Sequence, residues 1–72
     1  MKTPEEFFAL WNKSVERRKT VYFPHGYIFA DYFIIEPSTY DGSIFITLKI
    51  EEGDNKTIQT GYIALDDVTG VS

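Results

Sequence analysis

The chain contains no cysteine and a single histidine, and that scarcity removes several chemistries at once. Without cysteine there is no disulfide framework and no thiolate metal site. With only His25, no H-x-x-x-H pair exists to hold a metal. The serines Ser14, Ser38, Ser43 and Ser72 lack a glycine elbow and an evident base. No glycine-rich phosphate loop precedes a helix. Apolar runs are too short to cross a bilayer, and the N-terminus lacks the apolar stretch of a signal peptide. The expectation is therefore a cofactor-free, metal-free, cytoplasmic protein that is not an enzyme.

What the chain does have is aromatic side chains, twelve in 72 residues. Half of them, Tyr22, Phe23, Tyr27, Phe29, Tyr32 and Phe33, crowd into residues 22–33. One domain of this length sits near the lower limit for a stable unassisted core. Large rings offset that limit, because each buries roughly 150–250 Å². Association with another chain would do the same, so a homo-oligomer stays open.

Charge is unevenly placed. Residues 1–19 carry five basic and three acidic groups, a net of +2; residues 20–72 carry two basic and eight acidic groups, a net of −6. An acidic surface repels polyanions, which argues against nucleic acid and suits a basic partner, although the commoner role of such a balance is solubility alone.

The N-terminus reads as a helix over residues 4–18. Thr3 stands at the N-cap, Pro4 at the first helical position and Glu6 three residues after the cap. Phe7, Phe8, Leu10, Trp11 and Val15 form one apolar face. The rest reads as five strands at about 20–23, 27–36, 43–51, 57–65 and 69–72, in one domain over 1–72. Pro24-His25-Gly26, the 37–42 segment and Gly53-Asp54-Asn55 supply the turns. In the second strand, Tyr27, Phe29, Phe33 and Ile35 are expected on one face, with Ile28, Ala30, Tyr32 and Ile34 on the other; Asp31 marks a kink. In the third, Ile44, Ile46, Leu48 and Ile50 point inward. Gly61 signals a bend.

The fold class expected is α+β, mainly β: a helix followed by a strongly bent five-stranded antiparallel sheet or small barrel. The order of elements, with a "strand, one-turn helix, strand" ending at Gly61-Tyr62-Ile63-Ala64-Leu65-Asp66-Asp67-Val68-Thr69-Gly70-Val71, resembles the Sm-like and Src-homology-like small β-barrels. The asparagine of the Sm-type RNA site is missing from the S-T-Y-D-G loop, so the resemblance implies a fold and not RNA binding. The competing architecture is a curved sheet with the helix across one face. The two differ in whether the last strand closes back on the first.

Two sets of residues stand out. Tyrosines on an apolar bed with wet hydroxyls suit protein interfaces. Tyr27, Tyr32, Tyr40 and Tyr62, with Asp31, Asp41, Glu51 and Glu52, form the candidate set for binding a larger protein with a basic surface. Lys13, Arg17, Arg18 and Lys19 at the helix end form the candidate anion contact; the bland reading is a solvated helix terminus. The acidic E-E-G-D-N run lacks the alternation and distal glutamate of a calcium loop, so it reads as a hairpin turn. The leading expectation is a small acidic inhibitor or adaptor, of the kind phage and mobile elements encode. The alternative is an oligomeric small barrel that binds a small anionic ligand or nucleotide.

Overall fold

A computed structural model describes residues 3–38 and 40–72. One helix, α1 (Pro4–Lys13), is followed by β1 (Lys19–Phe23), β2 (Gly26–Ala30), β3 (Tyr32–Pro37), β4 (Ile44–Glu52), β5 (Lys56–Gln59) and β6 (Ile63–Ala64). A 3-10 turn (Leu65–Asp67) then leads into β7 (Gly70–Val71). The strands form two antiparallel sheets, β2-β1-β7 and β3-β4-β5, with β6 also paired to β4. The expected α+β, mainly β class holds.

Helix α1 starts where its caps dictate. The Thr3 hydroxyl accepts the Glu6 N–H at 3.2 Å and donates to the Glu6 carboxylate at 3.1 Å. It ends at Lys13, five residues short of the expected 18, with Ser14 already extended and its N–H on the Trp11 carbonyl. Residues 14–18 are needed to cross from the helix to β1. Val15 is consequently 95% exposed instead of joining the apolar face. What the helix buries is aromatic: the rings of Phe7 and Trp11 each lie 4.7 Å from Phe33, and Phe8 lies 5.6 Å from it.

Two of the five expected strands are broken, which makes seven. The break at Asp31 is a β-bulge: the Asp31 N–H bonds to the Lys49 carbonyl at 2.8 Å, while Tyr32 is itself the register partner of Lys49. Two residues thus oppose one, and the extra residue reverses the in–out alternation. Ile28 and Ala30 point inward before the bulge, and Phe33 and Ile35 after it. Tyr27, Phe29 and Ile34 point outward, 60%, 48% and 40% exposed. This corrects the expected pairing of Phe29 with Phe33 on one face and Ile28 with Ile34 on the other. The kink does more than bend the strand; it keeps one strand's apolar side inward in two different sheets.

The second break lies at Thr60-Gly61-Tyr62, where Gly61 predicts it. Gln59 pairs with Lys49 and Ile63 with Ile46, so three residues face two. The Thr60 hydroxyl takes the Leu48 N–H at 3.1 Å and donates to the Gly61 carbonyl at 2.9 Å, replacing the ladder acceptor that the bulge removes.

The core joins both sheets, the helix and the 3-10 turn through Phe7, Val21, Ala30, Ile46, Leu48, Leu65 and Val68, all at or below 1% exposure. The last strand does return to the first: Val71 pairs with Val21 and Gly70 with Tyr22. No ladder joins β6 to β7, so neither sheet closes and the barrel alternative falls. Among the described residues, no helix is long and apolar enough to cross a membrane.

Candidate functional site

The outward faces of the two sheets hold most of the large apolar side chains that the core leaves out. On the three-stranded sheet, the tight Pro24-His25 turn sets Tyr22 directly opposite Tyr27, and Phe29 lies one pleat further along β2. Ring centroids are 6.3 Å apart for Tyr22 and Tyr27 and 5.4 Å for Tyr27 and Phe29, in tilted and edge-on arrangements. Gly70, the β7 partner of Tyr22, brings no side chain to cover that ring. The Tyr22 hydroxyl is 3.0 Å from the Ser72 hydroxyl, which fixes the ring's orientation. The result is a row of three exposed rings on a hydrogen-bonded, and therefore rigid, surface.

Of the candidate tyrosines, only Tyr27 belongs to this row. Tyr32 lies half-buried on the outer face of the other sheet, beside Glu51, Glu52, Asn55 and Lys56. Tyr62 stands on the second bulge, its ring 6.3 Å from Phe45. Tyr40 is fully exposed in the loop between β3 and β4, and its neighbour Asp41 accepts the Ser43 N–H at 2.9 Å. That bond holds the Asp41 carboxyl below its ordinary range.

Asp31 and Arg18, assigned to two different candidate surfaces, bind each other. Arg18 Nε and Nη2 donate to the two carboxylate oxygens of Asp31 at 2.9 and 3.0 Å, and the Glu51 N–H adds a third bond at 2.8 Å. The Asp31 side chain keeps 8% of its surface exposed. Arg18, then the Glu51 N–H, pull its carboxyl down to about 2 from an ordinary 3.8. Lys19 is also engaged, 5.0 Å above the Trp11 ring and bonded to the Glu16 carbonyl. Arg17 reaches Glu51 at 4.0 Å, both ends well exposed. Lys13 sits in the last turn of the helix, where a cation complements the dipole. Arg18 and Lys19 are thus engaged within the chain, and Arg17 and Arg18 both reach Glu51, through its carboxylate and its carbonyl respectively.

His25 lies on the rim of a cleft of about 460 Å³ where the two sheets part, with Phe23, Pro24, Ile28, Ile63 and Asp67 as its other lining residues. Among the described residues, no three of His, Asp and Glu gather as metal ligands would.

Tyr22 and Phe29 are the members of this exposed row that sequence reasoning missed. The signal for Tyr22 was present, because a two-residue turn at Pro24-His25 necessarily places it across from Tyr27. Phe29 shares the face of Tyr27 by alternation, but the sequence also sets it with the core residues Phe33 and Ile35, and only the bulge at Asp31 and Tyr32 opposite Lys49 separates them. Set against known protein families, curated proteins and solved structures, the chain matches none.

Proposed function

We propose that this chain is a non-catalytic binding domain that acts by occupying the surface of a larger protein, as an inhibitor or adaptor. The observation that carries the reading is the contiguous row Tyr22, Tyr27 and Phe29, 40–60% exposed on one sheet face. Aromatic side chains supply much contact area at small entropic cost, and they dominate the energetics of protein interfaces. Because β1 pins β2 along its whole length, the rings are preorganised, and docking loses little further chain freedom. The net charge of −4 favours a partner with basic groups around an apolar centre.

The test is affinity capture from a lysate of the cells in which the chain occurs, with the wild type and a Tyr27→Ser/Phe29→Ser variant compared side by side. A discrete protein retained by the wild type at micromolar concentration and released by the variant, with unchanged circular dichroism, is the expected result. No retained protein, or equal retention by both, contradicts the proposal.

A further inference from the structure

The outer face of the four-stranded sheet carries a small polar cleft at a place where a plain antiparallel sheet would be flat. Its floor is Thr47, which is 92% buried although it points away from the core (8% exposed). Register sets Ile34 beside Thr47 on β3, and the bulge at Thr60-Gly61-Tyr62 raises Tyr62 on the other side. Glu36 lines one end of the cleft; Lys49 and its β5 partner Gln59 line the other. The Thr47 hydroxyl bonds to none of the described residues, and neither do the side-chain polar groups of Glu36, Lys49 and Gln59. Among the described residues no fully buried side-chain polar atom lacks a partner, so the Thr47 hydroxyl is open to the cleft, where a bound group can reach it.

The geometry points to a binding site for a small zwitterion with an alkyl spacer, on a different face from the aromatic row. Glu36 would receive an ammonium group and Lys49 a carboxylate, with Thr47 and Gln59 hydrogen-bonding between them. Ile34 and Tyr62 flank the methylene chain. Glu36 is the register partner of Phe45, four residues from Lys49 on β4, so the two charged residues are rooted roughly 13 Å apart along the strands. They form no ion pair with each other or with any described residue. Leaning side chains shorten that gap, but not to the separation of charges in an α-amino acid; an ω-amino acid fits better. The cleft measures about 170 Å³. Since a cavity of about 150 Å³ admits benzene, it suits a ligand of about six to ten non-hydrogen atoms. The same chemistry exists in a free ω-amino acid and in a C-terminal lysine, whose ε-ammonium and α-carboxylate are joined by an alkyl chain.

The test is a two-dimensional ¹H–¹⁵N NMR titration with 6-aminohexanoate, hexylamine, hexanoate and Nα-acetyl-lysine. Saturable shifts are expected at Ile34, Thr47, Lys49, Gln59 and Gly61 with millimolar affinity for 6-aminohexanoate. Affinity about three- to fivefold weaker is expected for the two singly charged analogues, as for a half-exposed ion pair. Tighter binding of Nα-acetyl-lysine than of 6-aminohexanoate assigns the site to a chain terminus; the reverse order assigns it to a free small molecule. Glu36→Gln and Lys49→Met should each weaken 6-aminohexanoate to the level of the analogues. These side chains lie outside the core, so the two variants keep the test meaningful even if Thr47→Val fails to fold. Absence of saturation into the tens of millimolar, equal shifts from all four compounds, or unchanged affinity in both charge variants would overturn the inference.

Discussion

Arg18 and Asp31 close the corner at which one continuous strand passes from the first sheet to the second. The guanidinium meets both carboxylate oxygens at 2.9 and 3.0 Å, and Arg18 also donates to the Glu51 carbonyl at 3.2 Å. Asp31 simultaneously takes the Glu51 N–H. One paired charge thus ties the segment before β1, the bulge and β4 together. Because the bulge reverses the alternation of the strand, the same contact sets which aromatics face inward and which outward.

The pH dependence of stability follows from that pair. The folded-state pKa of Asp31 is about 2, below its ordinary 3.8, so the carboxylate stabilises the fold fully above pH 3.8 and loses that contribution as pH falls through about 2. Asp31→Asn should lower the urea midpoint at neutral pH. The gap between variant and wild type should narrow as pH drops from 3.8 towards 2. A gap independent of pH over that window would show that the carboxylate's charge is not what holds the corner.

Thr60 is expected to matter through one hydrogen bond. Thr60→Val removes the acceptor of the Leu48 N–H in the most buried stretch of β4. The loss is about 1–3 kcal/mol, as for a buried donor left unpaired. Thr60→Ser keeps the hydroxyl and should recover most of the difference. Equilibrium denaturation in urea reads both variants.

Inner and outer rings should separate cleanly by stability. Phe7 is wholly buried and packs on Phe33, so Phe7→Ala should cost about 3–5 kcal/mol, a large share of what a domain this small possesses. Phe29→Ser removes a half-exposed ring from an outer face, at a cost of about 1 kcal/mol or less. A large loss from Phe29→Ser would place Phe29 in the core and undo the assignment of the two faces.

How far the sequence foretells this fold depends on how local each determinant is. The start of α1 was legible because Thr3, Pro4 and Glu6 act within one turn. Most of the inward set of β4 was legible because Ile44, Ile46 and Leu48 alternate without interruption, whereas Ile50, also expected inward, lies beyond the core beside exposed Ile58. The end of α1 was not, because Val15 continues the helical apolar spacing while β1 requires residues 14–18 as a connection. The faces of residues 27–36 were misread for a related reason. Asp31 signals a kink locally, but the reversal is set by its pairing with Lys49, eighteen positions along the chain. Thr47 gave no signal at all, since nothing in an alternating strand says that its outer face will be enclosed by a bulge on the neighbouring strand.

Site-specific photocrosslinking tests the proposed binding face most directly. A photoreactive phenylalanine at position 27 should form an adduct with one cellular protein, whereas the same group at exposed position 13 should not. An adduct from position 13 but none from 27, or equal adducts from both, would contradict the assignment of Tyr22, Tyr27 and Phe29 as the surface through which this chain acts.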